Sequence, residues 1–130
     1  MRDYKLSLTE LMALKDRETR KTAEVYLPGI DGKITIKALP LAEFLDMDGS
    51  GDVSTGPGMT RAMDEKIYAH CPDMHRQELQ EHFGCAVPTD IVRAMLGESL
   101  GDRSILGSAI NSLYDIDDTG SPSLLDTVKN

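Results

Sequence analysis

Tryptophan is absent, and only two phenylalanines and four tyrosines occur among 130 residues. A core with so few large rings must be filled by Leu, Ile, Val and the seven methionines, the most deformable apolar side chains. Such packing suits a protein that repacks around a partner. Two cysteines, Cys71 and Cys85, are too few for a disulfide framework, and in a reducing compartment both are expected as thiols. No run approaches the roughly 20 apolar residues that span a bilayer. The polar start Met1-Arg2-Asp3-Tyr4-Lys5 has no apolar signal core behind it, so the chain is expected to stay in the cytoplasm where it is made. Basic residues are also scarce, 14 against 22 acidic, for a net charge of -8 that repels phosphate backbones and argues against nucleic-acid binding. Catalytic signatures are missing too: there is no G-x-S-x-G elbow, no phosphate-cradling glycine loop and no H-E-x-x-H. The expectation is a binding protein without a cofactor, not an enzyme.

The residues present suggest one domain, since an apolar fraction of 40% over this length fills one modest core. Charge is uneven. Residues 1–22 carry six Lys/Arg against four Asp/Glu, and the remainder eight against eighteen. The pattern divides the chain into an N-terminal amphipathic helix and polar arm (1–22), a globular α+β domain (23–116) and a flexible acidic tail (117–130). In the arm, Ser7-Leu8-Thr9-Glu10 reads as a capping box, with Leu6 and Leu11 as its hydrophobic staple, and predicts a helix from about Leu8 to Lys15. Its apolar stripe of Leu8, Leu11 and Met12 is about two turns long and is followed by the polar run Lys15 to Thr22. These three residues are the candidate partner-binding set.

Ala23–Leu27 and Lys33–Lys37 alternate with a period of two around the turn residues Pro28-Gly29-Ile30-Asp31-Gly32, so a β-hairpin is expected, with Val25, Leu27, Ile34 and Ile36 inward. A lone hairpin is marginal in water and must lie against helices. Pro40 fits the first turn of a helix carrying Leu41, Phe44 and Leu45, and Asp48 to Gly58 reads as an exposed loop. Met59, Met63 and Ile67 mark a helix stopped at Cys71-Pro72, Leu79 and Phe83 one ending at Gly84, and Pro88-Thr89-Asp90 the start of one closed by Gly97. Ser99-Leu100-Gly101-Asp102 resembles a second capping box, ahead of an amphipathic stripe of Ile105, Leu106, Ala109, Ile110, Leu113 and Tyr114. The expected fold is α+β, mostly α, with one hairpin packed against about five short helices.

Two constellations bear on metal binding. Asp46, Asp48, Ser50, Gly51, Asp52 and Val53 echo the start of a calcium-binding EF-hand loop, but Pro57 stands where the bidentate glutamate belongs. Asp115, Asp117, Thr119, Gly120 and Asp126 repeat the echo more weakly, with Pro122 where an apolar residue is needed. Both read as solvated acidic loops. Cys71, His75, His82 and Cys85 carry two thiols and two imidazoles in C-x3-H-x6-H-x2-C spacing, a donor set of the kind zinc takes, though the spacing is not a standard one. The alternative reading built on them is a small zinc-binding regulatory or adaptor domain.

The order of elements resembles the XkdN-like tail assembly chaperones of contractile-tailed phages and prophages. The likeness rests on Leu6-Ser7-Leu8-Thr9-Glu10-Leu11, on Val25-Tyr26-Leu27-Pro28 with Ile34-Thr35-Ile36-Lys37-Ala38-Leu39-Pro40-Leu41, and above all on Lys66-Ile67-Tyr68-Ala69-His70-Cys71-Pro72. It continues through Glu78-Leu79-Gln80 and Val87-Pro88-Thr89-Asp90-Ile91-Val92 into the last helix, covering nearly residues 6–116. The Gly-rich loop after Asp48 and the polar tail depart from the pattern. The resemblance implies a chaperone in the host cytoplasm that coats the long tape measure protein until tail tube protein displaces it, with copies able to self-associate along that partner.

Overall fold

The computed structural model describes residues 4–48 and 53–117. Among them are six α-helices and one two-stranded antiparallel sheet, the mostly-α, α+β architecture expected. The EF-hand echoes fall largely outside the described residues, as does the acidic tail beyond Asp117.

The hairpin is the nucleus of the packing. Strands β1 (Thr22–Leu27) and β2 (Gly32–Lys37) pair with Val25 opposite Ile34 and Leu27 opposite Gly32. With a side-chain period of two, this register puts Val25, Leu27, Ile34 and Ile36 on one face, and all four are buried. Asp31 takes a left-handed conformation (φ 47°), and the Tyr26 hydroxyl donates to its carboxylate at 2.7 Å across the turn. At Gly29 the backbone runs against the Asp102 carboxylate, where a Cβ would collide; the Gly29 N–H donates to Asp102 Oδ1 at 3.2 Å. That contact pins the turn to the last helix.

The helices follow their caps. In α1 (Leu8–Met12) the capping box is complete: Glu10 N–H donates to Ser7 Oγ at 3.2 Å and Ser7 N–H to Glu10 Oε1 at 3.0 Å. Beyond Met12 the chain tightens into a 3-10 turn, Ala13–Asp16, so the helix is shorter than its pattern predicts. Helix α2 (Leu41–Asp48) opens on the Pro40 carbonyl, which accepts from Glu43 and Phe44 N–H, and buries Phe44 while leaving Leu41 and Leu45 exposed. Helix α3 (Gly56–His70) starts a turn earlier than the methionine spacing indicated, capped by Thr55, whose hydroxyl accepts from Gly58 N–H at 3.0 Å. It ends, as expected, at Cys71-Pro72. Helix α4 (Gln77–His82) buries no residue, whereas α5 (Asp90–Leu96) buries Ile91, Val92 and Leu96 and stops at Gly97 with φ 61°.

Helix α6 (Leu100–Ser112) corrects two expectations. Asp102 N–H donates to Ser99 Oγ at 3.1 Å, but Asp102 does not complete a box, because its carboxylate is drawn to the hairpin turn and Ser99 N–H turns to the Leu96 carbonyl. Asp102 Oδ2 is buried and has no hydrogen-bond partner among the described residues, at a helix N-terminus where the backbone dipole favours negative charge. Ile105, expected in the core, is exposed at 37%, since α6 is gripped on the side that carries Leu106, Ile110 and Leu113, all buried. The core gathers these with the four hairpin residues, Phe44, Ile67, Met74, Ile91 and Val92.

Candidate partner-binding surface

The arm stands off this core. No residue of α1 is buried; Leu8 is 74% exposed, Met12 68% and Leu11 51%, and Tyr4, Leu6 and Leu14 beside them are exposed as well. The three candidate residues therefore lie on one short, solvent-facing segment. A helix this short is marginal by itself, so lasting order in it depends on something that covers its stripe. The arm ends where the body takes hold: the Lys21 carbonyl accepts from Ala38 N–H at 2.9 Å, and the Lys21 ammonium pairs with Asp115. The first strand begins directly after it, at Thr22.

The buried polar groups of the body serve the fold. Arg103 Nε donates to Asp64 Oδ1 at 2.7 Å and Nη2 to Oδ2 at 3.4 Å, joining α6 to α3, while Nη1 reaches the Ser99 carbonyl at 3.1 Å. His70 Nδ1–H donates to the Lys66 carbonyl at 2.7 Å, and Nε2 accepts from the Tyr114 hydroxyl at 2.7 Å. That hydroxyl accepts in turn from Leu39 N–H at 2.8 Å, and the Tyr114 ring stacks on Phe44 at 3.8 Å between centroids. Burial holds His70 below the ordinary imidazole range, which fixes it as the neutral tautomer this network requires. Neither pair was legible from periodicity, because Asp64, His70 and Arg103 sit at positions that a polar residue normally gives to solvent.

The proposed zinc quartet is not assembled. Among the described residues no group of three or more His, Cys, Asp or Glu side chains is placed to hold a metal ion. Cys71 is fully buried and its thiol is pushed up to about 12 by desolvation and by Asp73, the opposite of a thiolate ligand. His75 donates through Nε2 to the Tyr68 carbonyl at 2.7 Å, with its ring tilted against Tyr68. Cys85 is half-buried after the end of α4, and His82 is exposed against Phe83.

An open groove lies on the body. It encloses about 900 Å³ between the N-terminal half of α3 and α5, with Pro57, Val87 and Ala94 among its apolar lining and Arg61, Glu65 and Asp90 among its charges. No helix among the described residues is long and apolar enough to cross a membrane. The chain matches no family model, no curated protein and no solved structure.

Proposed function

We propose that the chain is a phage or prophage tail assembly chaperone, a non-enzymatic protein of the host cytoplasm that binds tape measure protein and keeps it soluble until tail tube protein takes its place. The observation that carries this reading is the arm: an amphipathic segment with every large apolar side chain exposed, attached to a domain whose core closes without it. A contiguous apolar segment left in water is a binding element or an aggregation hazard. The resemblance in the succession of elements says which partner to test. Full burial of Leu8, Leu11 and Met12 contributes about 1.5–3 kcal/mol each, roughly 6 kcal/mol together, before ordering costs of several kcal/mol. One arm therefore binds weakly, and stable coating of a long helical partner needs many arms, each easily displaced.

The test is co-expression with tape measure protein. Replacing Leu8, Leu11 and Met12 by Ser leaves the domain folded and shifts the tape measure protein to the insoluble fraction. Full retention of solubility by this variant refutes the assignment of the arm.

A further inference from the structure

We propose that residues 118–130 cover the arm, laying Leu124, Leu125 and Val128 on Leu8, Leu11 and Met12, so that the chain shields its own binding element until a partner displaces the tail. The cover stands on its own evidence; its role as a brake on binding rests on the reading of the arm as the partner-binding element. Three observations lead to it. The domain leaves the arm uncovered, with every residue from Tyr4 to Lys15 exposed. The arm and the tail leave the domain at one joint, where the Lys21 ammonium pairs with Asp115. The tail then repeats the arm's own pattern: Ser123-Leu124-Leu125-Asp126 has the cap-and-acid spacing of Ser7-Leu8-Thr9-Glu10. At helical spacing Leu124, Leu125 and Val128 fall on one face, as Leu8, Leu11 and Met12 do.

The spacing from the joint matches residue for residue. Met12, Leu11 and Leu8 lie nine, ten and thirteen residues before Lys21, and Leu124, Leu125 and Val128 lie nine, ten and thirteen residues after Asp115. Physical reach agrees. With Ala13–Asp16 in a 3-10 turn and residues 17–21 outside any helix or strand, Met12 is at most about 25 Å from Lys21. Nine residues of tail span up to about 30 Å, enough to bring Leu124 to Met12, and one further helical turn, about 6 Å, takes Val128 to Leu8. The two segments then run antiparallel, which sets opposite ends of their helix dipoles side by side. Charge favours the same pairing: residues 15–21 carry four basic side chains against two acidic, whereas residues 115–128 carry four aspartates and no basic side chain. Tethering raises the effective concentration of the tail at the arm to the millimolar range, so a contact too weak to join separate molecules holds within one. Helices this short are ordered only while packed, so the cover is readily displaced, and it lowers the apparent affinity for a partner by the fraction of arms left open.

Because the chain has no tryptophan, Leu11→Trp in the full chain places a single fluorescent reporter in the stripe. Its emission is expected to lie to the blue of a solvent-exposed indole and to be independent of protein concentration. Replacing Leu124, Leu125 and Val128 by Ser is expected to shift it to the red while the thermal midpoint of the domain stays unchanged. Amide hydrogen exchange of the chain without the reporter is the second readout: the Leu11 and Met12 amides are expected to exchange several-fold faster in the tail variant. Emission like that of free indole overturns the proposal. So does blue emission that the tail variant leaves unchanged, as with an arm lying on its own domain, or blue emission that grows with concentration, as with an arm covered by another copy. All these readouts are taken without tape measure protein. A chain whose tail covers the arm, but whose Leu8, Leu11 and Met12 can be replaced without loss of tape measure solubility, supports this inference and sinks the proposed function alone.

Discussion

The ion pair between Asp64 and Arg103 offers a quantitative test of how the two long helices are held together. It is nearly enclosed, with side-chain exposures of 4% for Arg103 and 12% for Asp64, and its shorter contact is 2.7 Å. Removing one partner strands the other charge in the core, a loss of about 3–5 kcal/mol. The groove beside Asp64 admits some water and favours the lower end of that range when Arg103 is the residue removed. Arg103→Met should therefore cost about 3 kcal/mol, and Asp64→Ala about 4 kcal/mol, since it strands the better-buried guanidinium. The double variant Asp64→Leu/Arg103→Met removes both charges and fills the space, and should return to within about 1–2 kcal/mol of the natural chain. Urea unfolding followed by circular dichroism measures all four proteins. A total stability of about 5–15 kcal/mol leaves each single variant folded enough to study or just below that limit. Single variants that cost less than about 1 kcal/mol each would mean that the pair is screened like a surface salt bridge and that the burial argument is wrong.

Two further outcomes follow from the core. Ile110→Asp places an unpaired carboxylate at a fully buried position and should abolish the cooperative unfolding transition; a stable, helical variant would mean that this face of α6 meets solvent. His70 has a folded-state pKa below its ordinary value, so the unfolded chain binds more protons and stability should fall as pH is lowered through and below about 6.5. Protonation would make Nε2 a donor toward a Tyr114 hydroxyl that already accepts from Leu39, and stability that stays level between about pH 7 and 5 would exclude this network.

Local signals in the sequence carried most of the fold. The hairpin and its inward face were legible because alternation over Val25, Leu27, Ile34 and Ile36 has one physical reading, and the glycine and proline stops at Cys71-Pro72 and Gly97 act within a few residues. What escaped was set by long-range packing. Asp102 looked like the second half of a capping box until the hairpin turn, 73 residues away in the chain, claimed its carboxylate. Ile105 shares the apolar stripe of α6, but the neighbouring elements cover the adjacent Leu106 side. Cys71 and the histidines shared a short stretch of sequence without sharing a site, since burial takes Cys71 into the core and backbone carbonyls hold His70 and His75 separately. The exposure of Leu8, Leu11 and Met12 agrees with what the polar run after them suggested.

Deletion of residues 1–20 tests the central claim most directly, because it removes the arm just before the Lys21 anchor. The truncated chain is predicted to keep its cooperative thermal transition, with the midpoint lowered by no more than a few degrees, and to leave co-expressed tape measure protein insoluble. A truncated chain that unfolds would show that the arm belongs to the core, and one that still keeps the tape measure protein soluble would show that binding lies elsewhere; either result contradicts the account.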